Sequence, residues 1–109
     1  LFVVTRAPGR LIVVNADNGA TIANFKAPER CDQVIWDKAN RRIYVLGGEG
    51  YIGVFQQKDA NHYEELTRVI SAKGAKTGIL IPSLHKLYVA VSPGEAKTGA
   101  AVLAYTVKN

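Results

Sequence analysis

A short apolar string returns three times along the chain, as LFVV at residues 1–4, IYVL at 43–46 and LYVA at 87–90. The copies are spaced by about 42–44 residues, the length of a four-stranded supersecondary unit. A periodic element constrains the fold more than composition does. A unit of that size cannot bury its apolar residues alone, so its neighbours must cover them. The second position of each copy is aromatic (Phe2, Tyr44 and Tyr88), as packing between successive units requires.

The segments between the copies repeat as well. Each copy runs into a break rich in glycine or proline: residues 5–10, 47–50 and 92–99. Alternating apolar strands follow at 11–15, 51–55 and 101–107. The first two lead through turn-forming residues into third strands, Thr21–Phe25 and Tyr63–Ile70. Loops at 26–30 and 71–76 then precede a fourth apolar strand at 34–36 and 79–81. Turns at 37–40 and 82–85 contain the Asp, Asn, Pro and Ser that favour such bends. Tyr63, Leu66 and Ile70 also have helical spacing, but their place in the period predicts a strand.

Every strand is short, and turn signals fall every eight to twelve residues, roughly the punctuation of an all-β fold. Four strands per period is the pattern of a β-propeller blade. With strands A to D named from the channel outward, the chain reads BCD-ABCD-ABC. The predicted fold is therefore all-β, a propeller fragment of about two and a half four-stranded antiparallel blades. The expected units are residues 1–30, lacking the inner strand, a complete blade at 31–73, and residues 74–109, lacking the outer strand.

The segments RIYVL (42–46), KLYVA (86–90) and RLIVVNADNGAT (10–21) resemble the YVTN-type β-propeller repeat family. Its motif is a basic residue, an apolar Tyr-Val strand and a Val-rich hairpin closed by Asp, Thr and Gly. Gly47 and Val91 stand where the family's motif has Asn, and residues 92–99 form an insertion in the third copy. The resemblance spans essentially the whole chain. It implies the C-terminal portion of a ring of roughly seven blades, from a periplasmic or secreted, often bacterial, protein. It implies a non-catalytic binding scaffold. The competing implication is an enzyme, lactonase-like or quinoprotein-like, with its catalytic ligands in blades outside this sequence.

The chemistry-bearing residues give an enzyme little to work with. Ser71, Ser83 and Ser92 lie in turns, and no Gly-x-Ser-x-Gly elbow occurs. The glycine-rich Gly47–Gly50 break precedes a strand, not the helix that a phosphate cradle needs. Glu64 and Glu65 alternate across a strand and do not form an acid–base pair. His62 and His85 have no Cys or carboxylate at metal-binding spacing, and Asp17-Asn18-Gly19 is a hairpin signal. The single cysteine, Cys31, precedes an apolar run and is expected to be a small buried residue. No metal and no cofactor is expected, and no apolar run is long enough to span a membrane.

The net charge is +5, from basic residues scattered along the chain with a single Arg41-Arg42 doublet. Such dispersion is the mark of solvated surface, and nucleic acid is not an expected partner. In the resembled family, the D–A and B–C loops gather at one end of the channel. Here those loops carry Arg6, Arg30, Asp32, Glu49, Lys73, Lys76, Thr77 and Lys97. Arg6, Arg30, Asp32, Lys73, Lys76 and Thr77 are the candidate ligand residues, for an anionic small molecule or an acidic protein surface. The remaining expectation is self-association, through open sheet edges and uncovered blade faces.

Overall fold

The computed structural model describes residues 1–91 and 101–108. Their ten strands form three antiparallel sheets, with no α-helix among the described residues. Sheet 1 is ordered β1 (Phe2–Arg6), β2 (Gly9–Val14), β3 (Thr21–Lys26). Sheet 2 is ordered β4 (Cys31–Asp37), β5 (Arg42–Gly47), β6 (Tyr51–Asp59), β7 (His62–Ile70). Sheet 3 is ordered β8 (Thr77–Ile81), β9 (Lys86–Val91), β10 (Ala101–Thr106). The fold is all-β, as the periodicity predicts. The insertion at 92–99, with Ser92 and Lys97, lies outside the described residues.

The repeated string explains the stacking. In β5, Ile43 and Val45 turn one way and Tyr44 and Leu46 the other, and all four are buried. A strand covered on both faces loses the alternation of a half-solvated one and reads as a continuous apolar run. Ile43 and Val45 join Leu11, Cys31 and Phe55 in a core shared with sheet 1, closed by Phe2, Val4 and Phe25. Tyr44 and Leu46 join Ile52, Val54, Leu87 and Val89 in a second core, shared with sheet 3. Sheet 2 is thus the filling between two neighbours, and the chain's apolar energy lies in two inter-sheet seams.

The cross-strand register repeats with the string. Tyr44 pairs with Val54 and Leu46 with Ile52 in sheet 2, while Tyr88 pairs with Ala104 and Ala90 with Val102 in sheet 3. Phe2 pairs with Val13 and Val4 with Leu11 in sheet 1. The special backbone positions repeat too. Arg41 and His85, each ending a turn before the repeated strand, have φ of 53° and 52°. Arg30 and Gly74, entering β4 and β8, have φ of 55° and 84°.

Residues 63–70 lie within strand β7. A register shift between Val54 and Phe55 leaves Leu66 without a partner on β6 and interrupts the period of two in β7, and Leu66 is exposed. The turn before β5 is organised by Asp37, which is buried. Its carboxylate accepts from the Asn40 backbone N–H at 3.3 Å and side-chain amide at 2.9 Å, and from the Tyr44 hydroxyl at 3.3 Å. Burial pushes the Tyr44 hydroxyl above the ordinary tyrosine pKa.

Candidate functional site

Of the loops predicted to share one end of the molecule, the described ones at 6–10, 26–30, 47–50 and 71–76 are stitched together there by backbone hydrogen bonds. The Arg30 N–H donates to the Arg6 carbonyl at 2.9 Å, and the Gly74 N–H to the Gly48 carbonyl at 3.0 Å. These are the same bond made twice, one repeat apart. The Gly48 N–H donates to the Arg30 carbonyl at 3.1 Å, which links the two. Two carboxylates complete the stitching: Glu29 accepts from the Gly9 N–H at 3.0 Å and Glu49 from the Glu29 N–H at 2.8 Å.

Among the candidate ligand residues, three form one ion-paired group. Asp32 lies 2.9 Å from the Arg6 guanidinium and 3.5 Å from the Lys76 ammonium. Asp32 is the second residue of β4 and Lys76 immediately precedes β8, one repeat of 44 residues apart. The pair therefore bridges adjacent sheets and offsets part of the positive charge of this end. Arg30 is also engaged, donating from its guanidinium to the Gly48 carbonyl at 3.1 Å. Lys73 is exposed on the loop beside Gly50. Thr77 is exposed at the start of β8, and with Lys76 it borders a shallow groove of about 440 Å³ that continues over Ala90, Val91 and Val102. The structure thus joins Arg6, Asp32 and Lys76, places Thr77 beside Lys76, ties Arg30 to the neighbouring Gly48 loop and leaves Lys73 exposed.

Sequence reasoning did not single out Gln33. Its amide donates to the Gly78 carbonyl at 2.8 Å and accepts from the Gly78 N–H at 2.9 Å. One side chain thereby satisfies both backbone groups of a residue on edge strand β8 and ties β4 to it. No spacing in the sequence signals this, because the two residues meet only when the sheets stack. Replacing Gln33 by Ala removes both bonds and leaves the Gly78 N–H without its acceptor. The expected loss is about 2 kcal/mol. Calorimetry should register it as a fall in Tm of roughly 10 °C.

The other reactive groups are quiet. Cys31 is buried, its thiol donates to the Thr5 carbonyl at 3.0 Å, and burial pushes its pKa up. A thiol held in its neutral form is a poor nucleophile. His62 meets the Asp59 carboxylate at 2.8 Å in an exposed turn. Among the described residues, no group of three or more His, Cys, Asp or Glu could hold a metal ion. Among the described residues, no helix is long and apolar enough to cross a membrane. A second groove, of about 340 Å³, lies between sheets 2 and 3 along β10, lined by Tyr44, Val54, Leu66, Val69 and Tyr105 among others. No protein-family model, curated protein or solved structure matches the chain.

Proposed function

We propose that the three sheets are consecutive blades of a β-propeller of the YVTN-repeat type, and that the chain is a non-catalytic module working through its surfaces. One contrast carries the reading. At the loop end Arg6, Glu29, Arg30, Asp32, Glu49 and Lys76 are spent on internal bonds, while large apolar side chains stand exposed on the outer sheets. Asp32, Arg30, Glu29 and Glu49 all serve loop-to-loop contacts. By contrast, Ile79 is 59% and Val102 68% exposed on sheet 3. Exposed apolar clusters of this kind mark contact surfaces. The recurrence of register and of backbone exceptions in successive sheets supports the propeller assignment.

Anilinonaphthalene sulfonate, a dye that brightens on apolar surface, tests the reading. The folded chain at low concentration should enhance its fluorescence, and the double substitution Ile79→Lys, Val102→Lys should abolish most of that enhancement. The added lysines would strengthen any merely electrostatic attraction for this anionic dye, so the sign of the change is decisive. An undiminished signal would remove the apolar face from the account.

A further inference from the structure

The connection between β2 and β3 contains the only asparagine in the chain that is followed by glycine, Asn18-Gly19. We propose that Asn18 is a site of spontaneous covalent modification. The Gly19 backbone nitrogen closes on the Asn18 side chain to form a cyclic imide, and water opens the imide to aspartate and isoaspartate.

The geometry favours the closure in three ways. Asn18 and Gly19 are both exposed, so water reaches them. Gly19 has φ of 75°, a left-handed conformation that glycine enters without steric cost, and nothing lies within 4 Å of the place a β-carbon would take there. The peptide unit therefore has room to rotate toward the preceding side chain. Finally, the Asn18 Oδ1 accepts from the Ala20 N–H at 2.8 Å. Negative charge develops on that oxygen when Cγ is attacked, so a donor already stands where the oxyanion forms. One bond opposes the reaction: the Gly19 N–H donates to the Asn15 carbonyl at 2.8 Å. It belongs to an exposed loop and opens locally while the sheets stay intact.

The step needs only water and a base. The Gly19 nitrogen gives up its proton and bonds to Asn18 Cγ. The bond from Cγ to Nδ2 breaks, and the amide nitrogen leaves as ammonia with that proton. Water then cleaves the imide on either side of its nitrogen. Cleavage at Cγ leaves aspartate in the normal chain. Cleavage at the backbone carbonyl leaves isoaspartate, whose main chain runs through Cγ and is longer by a methylene. Either product replaces a neutral amide by a carboxylate and lowers the net charge of +5 by one unit.

The repeat supplies an internal control. Asn61 stands in the corresponding turn of sheet 2, between β6 and β7, and it is exposed as Asn18 is. Its successor is His62, whose β-carbon crowds the attacking nitrogen. Asn15, Asn24 and Asn40 are followed by Ala16, Phe25 and Arg41. The Asn40 amide is also tied to Asp37 at 2.9 Å.

Peptide mapping by mass spectrometry, on the folded full chain held at physiological temperature and mildly alkaline pH, tests the proposal. The peptide carrying Asn18 should gain the mass difference between amide and acid, ammonia should appear in step with it, and an isoaspartyl-specific methyltransferase should label the product. Peptides carrying Asn15, Asn24, Asn40 and Asn61 should keep their mass. Asn18→Gln keeps an amide but needs a larger, slower-forming ring, so conversion should be lost. Gly19→Ala should lower conversion to the level of Asn61. Circular dichroism checks that each variant folds; where Gly19→Ala does not, Asn18→Gln and the comparison with Asn61 decide. An Asn18 that stays intact in the folded chain and converts only after unfolding in urea overturns the proposal. Conversion of Asn61 as fast as Asn18 also overturns it, as does aspartate formed without isoaspartate, the mark of direct hydrolysis.

Discussion

Phe55→Ala should lower the unfolding free energy by about 3–5 kcal/mol, the range for deleting a buried phenylalanine ring. Phe55 is 1% exposed and packs with Leu11, Ile43 and Val45, and its ring lies 5.2 Å from that of Phe25 across the seam between sheets 1 and 2. The site cannot collapse easily. The space beside the ring is already filled: a methyl added at Gly53 would sit 3.0 Å from the Phe55 ring and 3.3 Å from Pro28. A domain with the usual margin of about 5–15 kcal/mol would lose a large part of it. With an m-value near 1.5 kcal/mol/M, the urea midpoint should fall by about 2–3 M. A loss below about 1 kcal/mol would mean that sheets 1 and 2 do not pack face to face through this ring.

Gly9→Ala gives a test whose sign is informative. Gly9 does not have a positive φ, and glycine in a strand is ordinarily worse than alanine by roughly 0.5–1 kcal/mol, so the bare expectation is stabilisation. The packing predicts the reverse. A β-carbon on Gly9 would lie 2.4 Å from the Pro28 carbonyl oxygen and 2.5 Å from that of Ala27. Both are backbone atoms in a loop fixed by the bond from the Ala27 N–H to the Gly9 carbonyl and by the grip of Glu29 on the Gly9 N–H. Nothing there can swing aside as a flexible side chain would. Separating strand and loop should cost about 2–3 kcal/mol. Denaturant unfolding of the variant reads the sign directly. An unchanged or raised midpoint would show that the loop over Gly9 is not held this close.

The architecture was legible because the strongest signal in the sequence was also the central element of the fold. IYVL at 43–46 is apolar at consecutive positions, and its burial on both faces requires a sheet on either side. The turns could be placed because Asp37, Asn40 and Pro82 mark them by composition. The β7 strand was harder, since a register shift against β6 leaves Leu66 unpaired and breaks its alternation. The chemistry of the loop end was legible only in part. That Arg6, Asp32 and Lys76 share one end followed from the strand order. That Asp32 holds both cations depends on how far β4 and β8 stand apart, which no local pattern encodes. Gln33 escaped notice for the same reason, because its partner Gly78 lies on another sheet.

The account rests on sheets that stack face to face in a repeated way. A carbon-13-edited nuclear Overhauser experiment on the folded chain addresses this most directly. It should detect contacts of the Phe55 ring with Leu11 across the seam between sheets 1 and 2, and of Leu46 with Val89 across the seam between sheets 2 and 3. Contacts at only one seam, or at neither, would contradict it.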